Sequence, residues 1–206
     1  MRADRSLGFP SVPGTRRGRP RSAQAHRAVL EAARDLLSAG HYEQMTMDAI
    51  AARAGVGKQT VYRWWRSRAE VVAEAALGGY LVLESPAPAD TGDIAADLGE
   101  WLGIHFQRLA EPGTEAMIRG LAAAAADSDT DAERLYAHLT GPTRQHLTER
   151  LSAGVAAGEL RADADLGTLA ESVIGALLYR VLTRRSATRA DAESLIDLLL
   201  RGAAAG

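Results

Sequence analysis

Residues 47–65, MDAIAARAGVGKQTVYRWW, constrain the fold more than any other stretch of the chain. Thr46 stands where a helix cap would, and Asp48 sits in the first turn, where the helix dipole favours an anion. A short helix runs from Met47 to about Arg53. Gly55 closes it, because glycine tolerates the left-handed conformation in which helices commonly end. A second short helix runs from about Gly57 to Trp65. The segment holds the only lysine in the chain, Lys58, and two of its three tryptophans, Trp64 and Trp65.

Two chemistries compete for GVGKQT. A phosphate loop requires G-x-x-x-x-G-K-[ST] after a strand. Here Ala52 stands five residues before Gly57, Gln59 follows Lys58, and an amphipathic helix precedes the motif, so the phosphate loop fails on three counts. A helix-turn-helix succeeds on geometry. At about 100° per residue, Val61 and Trp65 share the face that would pack on Ile50, Ala51 and the helix before them. The opposite face carries Gln59, Thr60 and Arg63, with Tyr62 and Trp64 on its flanks and Lys58 at its start. A helix that reads DNA needs base-reading polar groups at its centre and phosphate-reaching donors at its edges. An ordinary helical hairpin would account for Gln59 and Thr60, but poorly for two aromatics and an arginine outside the core stripe.

Charge supports the same reading. The net charge of −2 conceals a split. Residues 1–68 carry 13 Arg/Lys against 5 Asp/Glu, a balance of +8, and residues 69–206 carry 11 against 21, a balance of −10. Asymmetry of this size between two parts of a chain points to a nucleic-acid-binding end. Cysteine is absent, which excludes disulfides and thiolate metal sites. The first residues lack an apolar run long enough for a signal peptide, and no stretch approaches the roughly 20 apolar residues of a membrane span. The expectation is a soluble cytoplasmic protein with no membrane partner.

The chain divides into four parts. Residues 1–21, rich in Gly, Pro, Ser and Arg, read as a basic flexible arm. From Ser22 the pattern turns helical, with Val29, Leu30, Ala33, Leu36 and Leu37 as the apolar stripe, and residues 22–66 form the helix-turn-helix domain. Ser67 and Glu70 have capping-box spacing, and a connecting helix spans 67–83. ESPAPADTG, residues 84–92, marks the boundary of a last domain, 84–206. Everything beyond it reads as helix: 93–110, 114–126, a long 130–158 with a break expected at Gly141-Pro142, 163–184 and 188–202. Strand signals are nearly absent, so the fold class is all-α.

TMDAIAARAGV, then KQTVYRWW followed by SRAE, resembles the N-terminal domain of the TetR family of bacterial transcriptional repressors, without a gap over residues 22–77. The resemblance implies a three-helix DNA-binding domain, a fourth connecting helix, and an all-helical C-terminal domain that binds a ligand and dimerises. Carried onto this chain, it places DNA contacts at Thr46, Lys58, Gln59, Thr60, Tyr62, Arg63, Trp64 and Arg68. Many family members have a small hydroxyl residue where this chain has Gly57, so there the backbone N–H would have to serve alone. The arm residues Arg16, Arg17, Arg19 and Arg21 have two readings, an inert tail or arginines that enter the minor groove. Pro20, stiffening the approach to the first helix, favours the second.

The last domain offers no catalytic set. His105, His138 and His146 make no metal pair, there is no G-x-S-x-G elbow, and no cysteine nucleophile exists. An all-α enzyme is therefore disfavoured, and no cofactor or metal is expected. A sequence-independent DNA binder is disfavoured too, because it has no use for an acidic second domain. Trp101, His105, Phe106, Met117, Leu121, Tyr136, Leu139 and Tyr179 form a candidate pocket for an apolar or aromatic small molecule, although each fits a plain core position equally well. The last two helices are apolar on more than one face. Leu166, Val173, Leu177, Val181, Leu195, Leu198 and Leu199 are the candidate dimer interface, with burial inside one subunit as the alternative. The expected partners are a palindromic double-stranded operator, an unknown small-molecule ligand and a second copy of the chain.

Overall fold

The computed structural model describes residues 19–128 and 130–201, and the described chain contains nine helices and no strand. They are α1 (Arg19–Ser38), α2 (Met47–Ala54), α3 (Lys58–Trp64), α4 (Arg68–Leu77), α5 (Ile94–Leu109), α6 (Pro112–Ala126), α7 (Ala132–Ala156), α8 (Leu166–Thr183) and α9 (Arg189–Arg201). The all-α expectation holds. Arg16 and Arg17 of the predicted arm lie outside the described residues. α1 begins three residues before the predicted Ser22, because Pro20 falls in its first turn, where no intrahelical N–H is needed.

Local chemistry explains most boundaries. Thr46 Oγ1 accepts the Ala49 N–H at 3.1 Å and caps α2. Gly55, at φ +65°, closes that helix, with the Val56 N–H bonded back to the Ala51 carbonyl at 3.1 Å. Ser67 Oγ accepts the Glu70 N–H at 3.2 Å, while the Glu70 carboxylate reaches back to the Arg66 N–H at 2.7 Å. The predicted connecting helix over 67–83 is too long. α4 stops at Leu77, because Gly79 adopts φ +78° and lets the Tyr80 N–H close onto the Ala75 carbonyl at 2.8 Å. Nor does α7 break at Gly141-Pro142. It continues for 25 residues through Pro142, which forgoes only one N–H bond.

Two cores organise these helices. The first is built from α1 to α4, yet it also takes in Ala116, Ile118, Leu121, Ala124 and Ala125 of α6, Leu135 and Leu139 of α7, and Val181 of α8. The second joins α5, α7, α8 and α9. Helix α6 thus belongs to the DNA-binding unit as much as to the C-terminal one. Its fit there depends on missing side chains: a β-carbon on Gly120 would lie 3.1 Å from Leu37 and 3.3 Å from Tyr42. A buried ion pair pins the segment before α5. Asp97 accepts two bonds from Thr91 and two from Arg150, the closest of the latter at 2.8 Å. Helix α8, with mean hydropathy 1.3 over 18 residues, matches a membrane span by length and composition alone. In this fold, α8 contributes Ala170, Val173, Ile174, Leu177 and Val181 to the interior.

Candidate nucleic-acid interface and effector cavity

Helix α3 is held by Val61, fully buried, and by Trp65, whose Nε1–H donates to Glu74 Oε2 at 2.6 Å. His26 of α1 completes this anchor, with Nε2 at 2.8 Å from Glu74 Oε1 and its ring 4.9 Å from that of Trp65. With one face fixed, the opposite face is presented outward. Gln59, Tyr62 and Arg63 are exposed, Tyr62 by 53%. Thr60 is half-buried. Trp64 is also half-buried, its ring 5.4 Å from that of His26, and the Arg63 guanidinium lies 5.4 Å from the Trp64 ring centre.

Lys58 is exposed and pairs with Asp48 of α2, whose carboxylate raises the lysine pKa by hydrogen bonding and by charge. A phosphate would therefore have to take Lys58 from Asp48. Thr46 uses its oxygen as the α2 cap and keeps its O–H to donate. Gly57 caps α3 without any side-chain bond, and a β-carbon there would meet nothing closer than Thr60 Oγ1 at 4.0 Å.

Arg68, which the family resemblance places among the DNA contacts, is engaged within the domain. It is half-buried, donates to the carbonyls of Tyr42 and Met45 at 3.1 and 3.2 Å, and lies 4.5 Å from the centre of the Tyr42 ring. The α1–α2 connection leaves carbonyls without helical partners, and Arg68 satisfies them.

In the C-terminal domain a cavity of about 70 Å³ lies between α5, α6, α7 and α8. Its apolar walls come from Ile118, Leu139, Ile174, Leu177, Leu178 and Val181, and its polar lining includes Glu84, Arg108, Thr114, Thr140 and a corner cluster at His105. At that corner His105 Nδ1 lies 2.9 Å from the Trp101 carbonyl. A carbonyl only accepts, so Nδ1 carries the proton and Nε2 is left as an acceptor. Ser85 Oγ lies 3.3 Å from Nε2, and the Thr143 hydroxyl donates to Ser85 Oγ at 2.9 Å. Burial lowers the His105 pKa against the opposing effect of the Trp101 carbonyl, and the charges of Arg108 and His146 lower it further. The ring is therefore neutral at pH 7.

Of the eight predicted pocket residues, only His105 and Leu139 line this cavity. Trp101 sits one layer behind, its Nε1–H bonded to the Pro86 carbonyl at 2.7 Å and its ring 3.9 Å from His105. Phe106 faces a second pocket, and Met117 a surface groove. Leu121 is buried in the first core, while Tyr136 and Tyr179 are exposed by 42% and 55%. Ser85, Arg108, Thr114 and Thr143 line the cavity and were missed in the sequence. No local pattern marks them, since Ser85 and Thr143 meet across 58 residues.

The predicted interface set also needs correction. Val173, Leu177 and Val181 are buried inside the subunit, the last two against the cavity. Leu166, Leu195 and Leu199 are partly buried on the second core. Only Leu198 is well exposed, at 69%, and it is joined by two outward residues of α8, Tyr179 and Leu182.

Residues 29–75 match the bacterial regulatory proteins of the tetR family, and residues 88–199 match the tetracyclin repressor-like C-terminal domain. YdeS, an HTH-type transcriptional regulator of Bacillus subtilis, is 32% identical over 168 residues, covering 82% of this chain and 83% of the relative. A DNA-binding transcriptional repressor, TetR, of Mycobacteroides abscessus is 31% identical, with 81% and 84% covered. The crystal structure of the TetR family transcription regulator SCO0332 superposes with a TM-score of 0.57 at 29% identity, over 87% of this chain and 98% of that one. With a helix-turn-helix whose outward face carries Gln59, Tyr62 and Arg63, joined to a helical domain of matching type, this chain belongs to the TetR family of DNA-binding transcriptional regulators.

Proposed function

We propose that the protein is a ligand-responsive repressor that grips a palindromic operator as a homodimer and releases it when a small molecule enters the α5–α8 cavity. The observation that carries this reading is the double duty of α6. Its Thr114 and Ile118 line the cavity, while its Gly113 and Gly120 press on Ser38 and Leu37 of α1. A cavity of about 70 Å³ is roughly half the volume of one known to accept benzene. A ligand larger than this space presses on its walls, and of these α6 has the most extensive contact with the DNA-binding unit. Close-packed helices shift as bodies. Ligand thereby favours a half-site spacing that no longer fits the operator, by its differential affinity for the two states.

The polar corner supports a ligand class. With the Ser85 hydroxyl donating to a neutral His105 and Thr143 donating to Ser85, the relay ends in the lone pairs of Thr143. An incoming O–H or N–H finds acceptors there, beside the paired Arg108 and Glu84 and a mostly apolar remainder of the lining. A neutral apolar molecule with one donor group fits best. Footprinting of the promoter beside the gene tests the DNA half of the reading. Two protected half-sites about one helical turn apart, or a multiple of it, are expected. Protection that ignores sequence would sink it. For the ligand half, an inducer that releases DNA must bind about as much more weakly to the operator complex as it weakens operator binding, and equal affinity with and without operator would rule out the coupling.

A further inference from the structure

Five helices end in the same turn, with the residue at its bend in the left-handed conformation. In α1, α2, α4 and α7 that residue is Gly40, Gly55, Gly79 or Gly158, at φ between +65° and +78°. In α8 it is Arg184, at φ +55°, the one residue other than glycine with positive φ in the described chain. The turn is otherwise alike, with the Arg185 N–H returning to the Arg180 carbonyl at 3.0 Å. A β-carbon in this conformation strains the backbone, and such strain persists where the side chain is needed.

The Arg184 side chain stands at the junction of three features. Its guanidinium donates to Glu43 Oε1 at 2.7 Å, linking the end of α8 to the α1–α2 connection, and Arg119 of α6 reaches the same oxygen. Arg184 also lines a pocket of about 220 Å³ with Arg180 and Arg185. The remaining walls include Phe106, Leu109 and Val181. Among the described residues, neither Arg180 nor Arg185 has an ion-pair partner. Arg180 lies 4.6 Å from the centre of the Phe106 ring and donates to the Ser186 carbonyl at 3.3 Å. Two carboxylates temper the site. Glu115, in the wall, is paired with Arg119 at 3.2 Å, and Asp191 is held by the Thr188 N–H at 2.7 Å and by its hydroxyl. The excess charge is still positive.

We propose that this pocket is a second effector site, for a small organic acid. The carboxylate is held by Arg184 and Arg185, and the apolar body lies against Phe106 and Val181. Guanidinium groups present paired donors that match a carboxylate. The pocket's volume, equal to about seven waters' share of the liquid, suits an aryl or short-chain acid rather than a bare inorganic ion. Because Arg184 already serves Glu43, the acid and Glu43 compete for one guanidinium. Occupancy of the pocket therefore loosens the clasp between α8 and the DNA-binding unit. This site lies on the far side of Leu109 and Val181 from the cavity at His105, and does not depend on that cavity having a ligand.

Calorimetry on the full chain with benzoate, at fixed ionic strength, tests the proposal. Benzoate should bind at least fivefold more tightly than benzyl alcohol, which has the same body without the charge, and more tightly than inorganic phosphate. Arg184→Gly and Arg185→Gln should each weaken benzoate at least fivefold. Arg184→Gly should melt no lower than the parent chain, since glycine is at ease in this turn, so its lost binding is not lost folding. Glu43→Gln frees Arg184 and should tighten benzoate. If both arginine variants bind benzoate like the parent, or if benzyl alcohol or phosphate matches it, the site is not there.

Discussion

Gly113 of α6 meets Ser38 of α1 so closely that a β-carbon on it would lie 2.3 Å from the Ser38 carbonyl oxygen. The obstacle is backbone, which cannot swing aside, so any larger residue must push the DNA-binding unit away from α6. Gly113→Ala should cost about 1–3 kcal/mol by overpacking, read as a fall in melting temperature of roughly 2–4 °C per kcal/mol in a chain of this size. Gly141→Ala provides the contrast. No atom comes within 4 Å of its β-carbon, so inside α7 it should stabilise by about 0.5–1 kcal/mol. Equal melting of the two variants would mean that the α6–α1 contact is looser than described.

A second prediction separates base reading from phosphate contact. Arg63 stands at the centre of the exposed face of α3, so Arg63→Ala should cost about 1–3 kcal/mol and relax preference at one operator position. Lys58→Met should weaken operator and random DNA alike and make the salt dependence shallower. Anisotropy titrations on both DNAs across a salt series distinguish the two. Arg63→Ala lowering both affinities equally would reassign Arg63 to a phosphate.

Removing residues 1–21 takes away six arginines and one aspartate. If the arm enters the minor groove, fewer counterions are released on binding, and the slope of log affinity against log salt falls. An unchanged slope would leave the arm off the DNA.

The helix-turn-helix was legible because its signals are local. Thr46, Gly55, Ser67 and Glu70 each act within four residues of themselves, and the outward face of α3 follows from one helical period. Arg68 was not legible, because its partners, Tyr42 and Met45, lie on another element. The cavity failed for the same reason. Tyr136 and Leu139 sit three residues apart on one helix, yet one faces solvent and the other the cavity. The end of α4 could have been read from Gly78-Gly79, had the pair been weighed as a helix stop before the apolar residues beyond it.

Acid should act through Asp97. Burial pushes its carboxyl pKa up, but the bonds from Thr91 and Arg150 outweigh this and hold it below the ordinary carboxylate value. A depressed folded pKa contributes stability at pH above the unfolded value, about 3.9, and that stability is lost as pH falls through the folded one. Asp97→Asn removes the nearest of three carboxylates around the buried Arg150, with Asp90 and Glu159 remaining at 3.5 Å, and should cost about 1–3 kcal/mol at pH 7. Below pH 3 the difference between variant and parent should shrink. Chemical denaturation at both pH values measures it, and a gap that persists in acid would assign the loss to packing instead.

The last prediction concerns assembly. Val173, Leu177 and Val181 face inward, so charges placed there would damage the subunit before they tested any partner. Leu182 and Leu198 are different. They are exposed by 58% and 69%, and neither is among the residues packed on the two cores. Exposed leucines on the last two helices are costly to leave in water and natural to cover with a second copy, whose two-fold symmetry would also present two α3 helices to a palindrome. If the proposed dimer forms through these helices, Leu182→Glu and Leu198→Glu together should leave helix content and melting of the subunit nearly intact while converting it to a monomer, and operator affinity should fall with it. Sedimentation velocity at low micromolar concentration reads the state directly. A parent chain that sediments as a folded monomer would remove the dimer, and a double variant that remains dimeric would move the interface off these two leucines.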